Sequence, residues 1–131
     1  MIKGIESILL SSEKAKNLAH FYQDKVGLKI NLEAEIGEKG EELYGFEMKS
    51  GSAFYIADHS KVTGKNKEPE RMILNLEVED IEKEVKKLDK AGVKKIKDIY
   101  HMQDYGLIAT FEDLDGNYFQ LVQVRESGNV F

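Results

Sequence analysis

Gly27, in KVGLKI (25–30), and Gly92, in KAGVKKI (90–96), each end a helix-like stretch. Each is followed 24 residues later by a turn glycine, Gly51 in KSGSAFYIAD (49–58) and Gly116 in DLDGNYFQLV (113–122). At the resulting shift of 65 residues Phe46 falls on Phe111, Phe54 on Phe119 and Ile56 on Leu121. Before the first glycine of each pair the shift is 66, placing Ile8 on Leu74, Leu10 on Leu76, Ala15 on Ile81, Ala19 on Val85 and Tyr22 on Leu88, so the second copy is one residue shorter at the end of its helix. A chain written twice in this way is built from two copies of one unit, each burying its apolar face.

Within each copy the periodicity changes in the same order. Residues 3–10 alternate as a strand, and Ser11-Ser12-Glu13 offers an N-cap before a 3.6-period face of Ala15, Leu18, Ala19, Tyr22 and Val26. Short runs near 28–33, 42–48 and 52–58 follow as three strands. The second copy predicts a strand at 72–78, a helix at 80–91 and strands near 94–100, 107–112 and 118–124. Between the copies, 59–71 holds the only proline and almost nothing apolar, which marks a linker. The expectation is one α+β domain over 1–131: module one at 1–58, the linker, and module two at 72–131. Each module is βαβββ, and the two pair into a half-open eight-stranded barrel with both helices outside.

With 131 residues there is room for one substantial core. The 24 Asp and Glu outnumber 19 scattered Lys and Arg, which argues against nucleic acid as a partner. No apolar run approaches the length of a membrane span and the N-terminus does not read as a signal peptide, so a cytoplasmic protein is expected. With no cysteine, disulfides, thiolate nucleophiles and thiolate metal sites are excluded together.

Strand alternation sorts the side chains. Ile8, Leu10, Leu74, Leu76, Phe54, Ile56, Phe119 and Leu121 should pack under the helices. Ser7, Leu9, Tyr55, Ile73, Asn75 and Gln120 should line the opposite face, a hollow suited to a small molecule.

The paired βαβββ pattern, the segment FYQDKVGLKI (21–30) and the turn DLDGNYFQLVQ (113–123) together resemble the vicinal oxygen chelate superfamily, which includes glyoxalase I, extradiol dioxygenases, and the bleomycin and fosfomycin resistance proteins. The turn is similar to the family's Asp-Pro-Asp-Gly-Asn, with Leu114 in place of proline. The resemblance implies four metal-ligand positions, here Ser7, Tyr55, Ile73 and Gln120. Divalent ions in such enzymes are held by His, Glu or Gln, and only Gln120 meets that need; the family metal site is therefore expected to be absent, with no cofactor.

Other polar residues carry the remaining possibilities. Asn75 and Gln120 would place amides in the hollow, satisfied by a ligand, by water or by each other. Tyr55 and Tyr100 either stack on a flat ring or fill space with the hydroxyl outward. His101 opens HMQDYG (101–106), a segment expected over the mouth of the hollow, where it would donate a hydrogen bond or carry a proton. His20 and His59 read as surface residues. Glu47 and Glu112 are equivalent by the repeat and read as solvated strand positions, and EKEVKKLDK (82–90) reads as the wet face of a helix. The function these residues favour is metal-independent binding of a flat, partly apolar organic molecule, as in bleomycin-resistance proteins, by a homodimer. The alternatives are a glyoxalase-like lyase, isomerase or dioxygenase with an atypical metal site including Gln120 and His101, and a regulatory module with a vestigial pocket.

Overall fold

A computed structural model of the chain describes residues 1–125; the expected end of module two at 131 lies outside the described residues. The chain divides into two compact units, Met1–Gly64 and Lys65 onward, with the division inside the stretch read as a linker. The first unit runs β1 (Ser7–Ser12), α1 (Ala15–Phe21), a π-helical turn (Tyr22–Val26), β2 (Lys29–Glu35), β3 (Glu42–Glu47) and β4 (Ala53–Asp58). The second runs β5 (Leu74–Glu77), α2 (Ile81–Lys90), β6 (Lys95–Met102), β7 (Gly106–Glu112) and β8 (Tyr118–Val124). Both are βαβββ. The strands expected from residues 3 and 72 begin at Ser7 and Leu74.

The frame change between the copies has a structural cause. In the first unit the Gly27 N–H reaches back five residues to the Tyr22 carbonyl, at 2.9 Å. A π-turn accommodates one extra residue in a helix without moving its two ends out of line, so the residue that the second copy lacks is housed between Tyr22 and Gly27. Gly27 then ends the turn in the left-handed region at φ 99°.

The expected barrel is not formed. Hydrogen bonding gives two separate four-stranded sheets, ordered β1-β4-β3-β2 and β5-β8-β7-β6, and neither closes. Closure requires edge strands to pair with a fixed stagger. The period-two pattern that located the strands sorts side chains between faces and carries no information about which edges pair. In each sheet the first strand lies parallel to the last, Ile8 beside Phe54 and Leu74 beside Phe119, and the other pairs are antiparallel.

Each unit buries its helix on one face of its sheet with the same aromatic device. Phe46 and Phe54 stack with centroids 5.2 Å apart, and Tyr22 meets Phe54 edge-on at 5.7 Å. Their equivalents Phe111 and Phe119 stack at 5.9 Å, in a core that also holds Ile81, Val85 and Leu88 of α2. Offset stacking of this kind adds to the burial of large apolar area. The helix starts are also matched. The first helical N–H, of Ala15, is accepted by Asp58 Oδ1 at 2.8 Å, and that of Ile81 by Gln123 Oε1 at 2.9 Å. Asp58 and Gln123 are 65 residues apart, so the repeat supplies an acceptor from the end of its last strand to satisfy an orphan donor. The local cap expected at 11–13 is displaced by one residue: Lys14 is the N-cap and makes no side-chain cap bond, while Ser12 Oγ accepts from the Lys14 N–H.

Gly51 and Gly116 both sit at positive φ, 85° and 79°, as their turns require. Asp113 holds the second turn, its Oδ1 accepting from the N–H groups of Asp115 and Asn117 at 2.9 Å each. Among the described residues no helix is long and apolar enough to cross a membrane.

Candidate functional site

In the first unit, strand register places Leu9, Tyr55, Gly45 and Leu32 in one row across all four strands, on the face away from α1. Leu9 is 61% and Leu32 43% exposed, and Tyr55 is half-buried between them. The glycine explains the arrangement. A Cβ at position 45 would stand 3.1 Å from the Tyr55 ring and 3.2 Å from the Leu32 Cβ, so its absence lets the ring lie close against the sheet. Ser7 is half-buried two positions along β1, opposite Ala53. Ser7, Leu9 and Tyr55 thus share the face expected of them. Leu32 and Gly45 were not anticipated, although a glycine inside a strand run is a signal of close approach.

In the second unit the corresponding row is polar: Asn75, Gln120, Thr110 and Lys97. The Gln120 amide donates to Thr110 Oγ1 at 3.0 Å. Gln120 therefore finds a partner in a side chain the sequence did not single out, while Asn75 is exposed. The next row holds Val122, Ile108 and Tyr100, and the Lys97 ammonium sits 4.0 Å from the centroid of the Tyr100 ring. Ile73 is half-buried just before β5, at the parity of Asn75. His101 goes elsewhere. It pairs with Leu107, which pairs with Gln123, in the row of opposite parity to Tyr100, and it lies on β6 just before the turn that leads into β7. Adjacent residues on a strand face opposite sides, so Tyr100 and His101 are not brought together.

The donor set does not suit the family's metal. Of the four positions, Ile73 has no donor, Ser7 offers a neutral hydroxyl, Tyr55 a phenol that must first lose its proton, and only the carbonyl oxygen of Gln120 is a suitable ligand, one where several are needed. Among the described residues no three His, Cys, Asp or Glu side chains are grouped to hold an ion.

The other polar candidates are accounted for by their surroundings. Glu47 pairs with Lys29 at 3.6 Å and its equivalent Glu112 with Lys94 at 3.7 Å, the same ion pair written twice. His59 is exposed, its Nδ1 accepting from the Lys61 N–H, and His20 lies 4.0 Å from Asp24. Tyr44 is buried on the α1 side and donates to Glu42. Burial first, and then that hydrogen bond, hold its hydroxyl well above the ordinary phenol range, so it keeps its proton at neutral pH. A shallow, open depression of about 470 Å³ along α2 is lined by Asp80, Glu82 and four lysines, with no aromatic or branched apolar side chain among them.

Solved structures with this fold are numerous. A glyoxylase/bleomycin resistance protein/dioxygenase domain from Frankia superposes with a TM-score of 0.75 at 16% identity, covering 95% of this chain and 100% of that one. A glyoxalase family protein from Enterococcus faecalis gives 0.72 at 20% identity, with 92% and 98% covered. TnmS3, an antibiotic binding protein from Streptomyces, gives 0.70 at 18% identity, with 95% and 98% covered. No curated protein matches the sequence. Residues 4–121 match the sequence model of the Glyoxalase/Bleomycin resistance protein/Dioxygenase superfamily, nearly the whole length. With that match and the two βαβββ units, the chain belongs to the glyoxalase, bleomycin resistance protein and dioxygenase superfamily.

Proposed function

We propose that the chain is a metal-independent binder of a flat, partly apolar organic molecule, working as a sequestering protein of the bleomycin-resistance type. The observation that carries this reading is the row Leu9, Tyr55, Gly45 and Leu32: an aromatic ring laid against a sheet between two exposed leucines, at a position where the family's enzymes hold a ligand to metal. An exposed apolar strip with one ring offers stacking and apolar contact. On the first unit's sheet the residues proposed to touch a bound molecule are Ser7, Leu9 and Tyr55, and on the second unit's own sheet they are Ile73, Asn75, Tyr100 and Gln120. TnmS3, similar in fold, is an antibiotic binding protein, which is consistent with a binding role for this fold. The metal-bearing alternative would need Gln120 and His101 together, and strand alternation separates them.

Calorimetric titration with naphthalene-2-carboxamide, a flat neutral probe, tests the platform. Tyr55→Ala is expected to weaken binding about tenfold, as loss of one aromatic contact does, and Tyr55→Phe to retain it. Equal affinity in the alanine variant would remove Tyr55 from the site.

A homodimer forms part of the same proposal. In each sheet both outer strands, β1 and β2 or β5 and β6, end the hydrogen-bonded ladder, and exposed edges invite pairing or covering by a second chain. Light scattering at micromolar concentration should return about twice the chain mass; a monomer at every concentration contradicts it.

A further inference from the structure

On the second sheet's face away from α2, the row Asn75, Gln120, Thr110 and Lys97 ends in a cation. The neighbouring lysines are engaged elsewhere, Lys94 with Glu112 and Lys95 with Asp89 and Asp98, and Lys97 is in neither arrangement. Its ammonium is held over the Tyr100 ring instead, which fixes its position and leaves it the hydrogen-bond donors that a carboxylate would have taken. Beside it in register, Thr110 is buried and accepts from the Gln120 amide, so the row's exposed donor is the Lys97 ammonium. An exposed ammonium with free donors, held against an aromatic ring, makes a binding set for an aromatic carboxylate.

Resting on the binder reading above, we infer that Lys97 determines ligand specificity on the second unit's sheet face, and that the molecule bound there is an aromatic or other flat organic acid whose carboxylate is taken by Lys97. The chain carries a net charge of −5, and its overall field repels acids. A preference for an acid over its neutral isostere must therefore come from a local cation.

The test compares naphthalene-2-carboxylate with naphthalene-2-carboxamide by calorimetry at low salt, on the full chain and on Lys97→Met, Lys97→Arg and Lys86→Met, with melting temperatures confirming that each variant is folded. The acid should bind about tenfold tighter than the amide in the parent protein. The preference should vanish in Lys97→Met and persist in Lys97→Arg and in Lys86→Met, whose lysine lies on the far surface of α2. Equal binding of the two probes, or an acid preference that survives Lys97→Met, overturns the assignment and leaves the binder reading in place. Failure of both probes to bind overturns both.

Discussion

Phe119→Ala is expected to lower stability by about 3–5 kcal/mol, the cost of emptying a fully buried aromatic site. The ring is completely buried, stacked on Phe111 at 5.9 Å, in the core that also contains Ile81, Val85 and Leu88 of α2. Few neighbours can move to fill the space: Phe111 and Ile81 are themselves fully buried, and both strands carrying the phenylalanines are interior to their sheet. Total stability of domains this size is about 5–15 kcal/mol, so the variant should show a large fall in denaturant midpoint by circular dichroism. A loss below about 1 kcal/mol would be ordinary for a surface site and would show that the stacked pair is not the centre of this core.

Gly106→Ala should be nearly as severe, for a different reason. Gly106 opens β7 at φ 150°, and a Cβ there would lie 2.1 Å from the Gln123 carbonyl oxygen and 3.0 Å from the Val124 Cα. Both obstacles are backbone of the adjacent strand, so relief requires parting the Gly106 and Val124 pair. Strain combined with a lost ladder end is expected to cost about 3 kcal/mol. The damage should spread to α2, because the Gln123 side chain holds the Ile81 N–H. Faster hydrogen exchange at the Ile81 amide together with a lowered midpoint is the expected signature. An unchanged midpoint would mean that the β7–β8 pairing tolerates a side chain there.

The repeat was legible because equivalent positions do the same physical work: Phe46 and Phe111 recur stacked on Phe54 and Phe119, and the turn glycines 51 and 116 recur at positive φ. The helix-start acceptors Asp58 and Gln123 were visible in principle as polar residues at equivalent ends of apolar strands, but which N–H they reach is a tertiary fact. The barrel was not legible, since edge pairing leaves no trace in alternation. Part of the site was hidden by broken period. The register of β6 shifts between Lys95 and Lys97 and again between Lys97 and Tyr100, so two residues three apart share a face. Counting by twos therefore passes over Lys97, and with it the cation held over the Tyr100 ring. His101 was expected near the hollow from its segment, 101–106, and strand alternation puts it on the face opposite Tyr100.

Titration of naphthalene-2-carboxamide into the protein by calorimetry, with and without excess chelator, tests metal-independent binding most directly. Because Ser7, Tyr55 and Ile73 do not provide the donors a divalent ion needs, the probe should bind with the same affinity in both conditions. Binding that disappears in chelator and returns on adding a divalent metal would contradict the account.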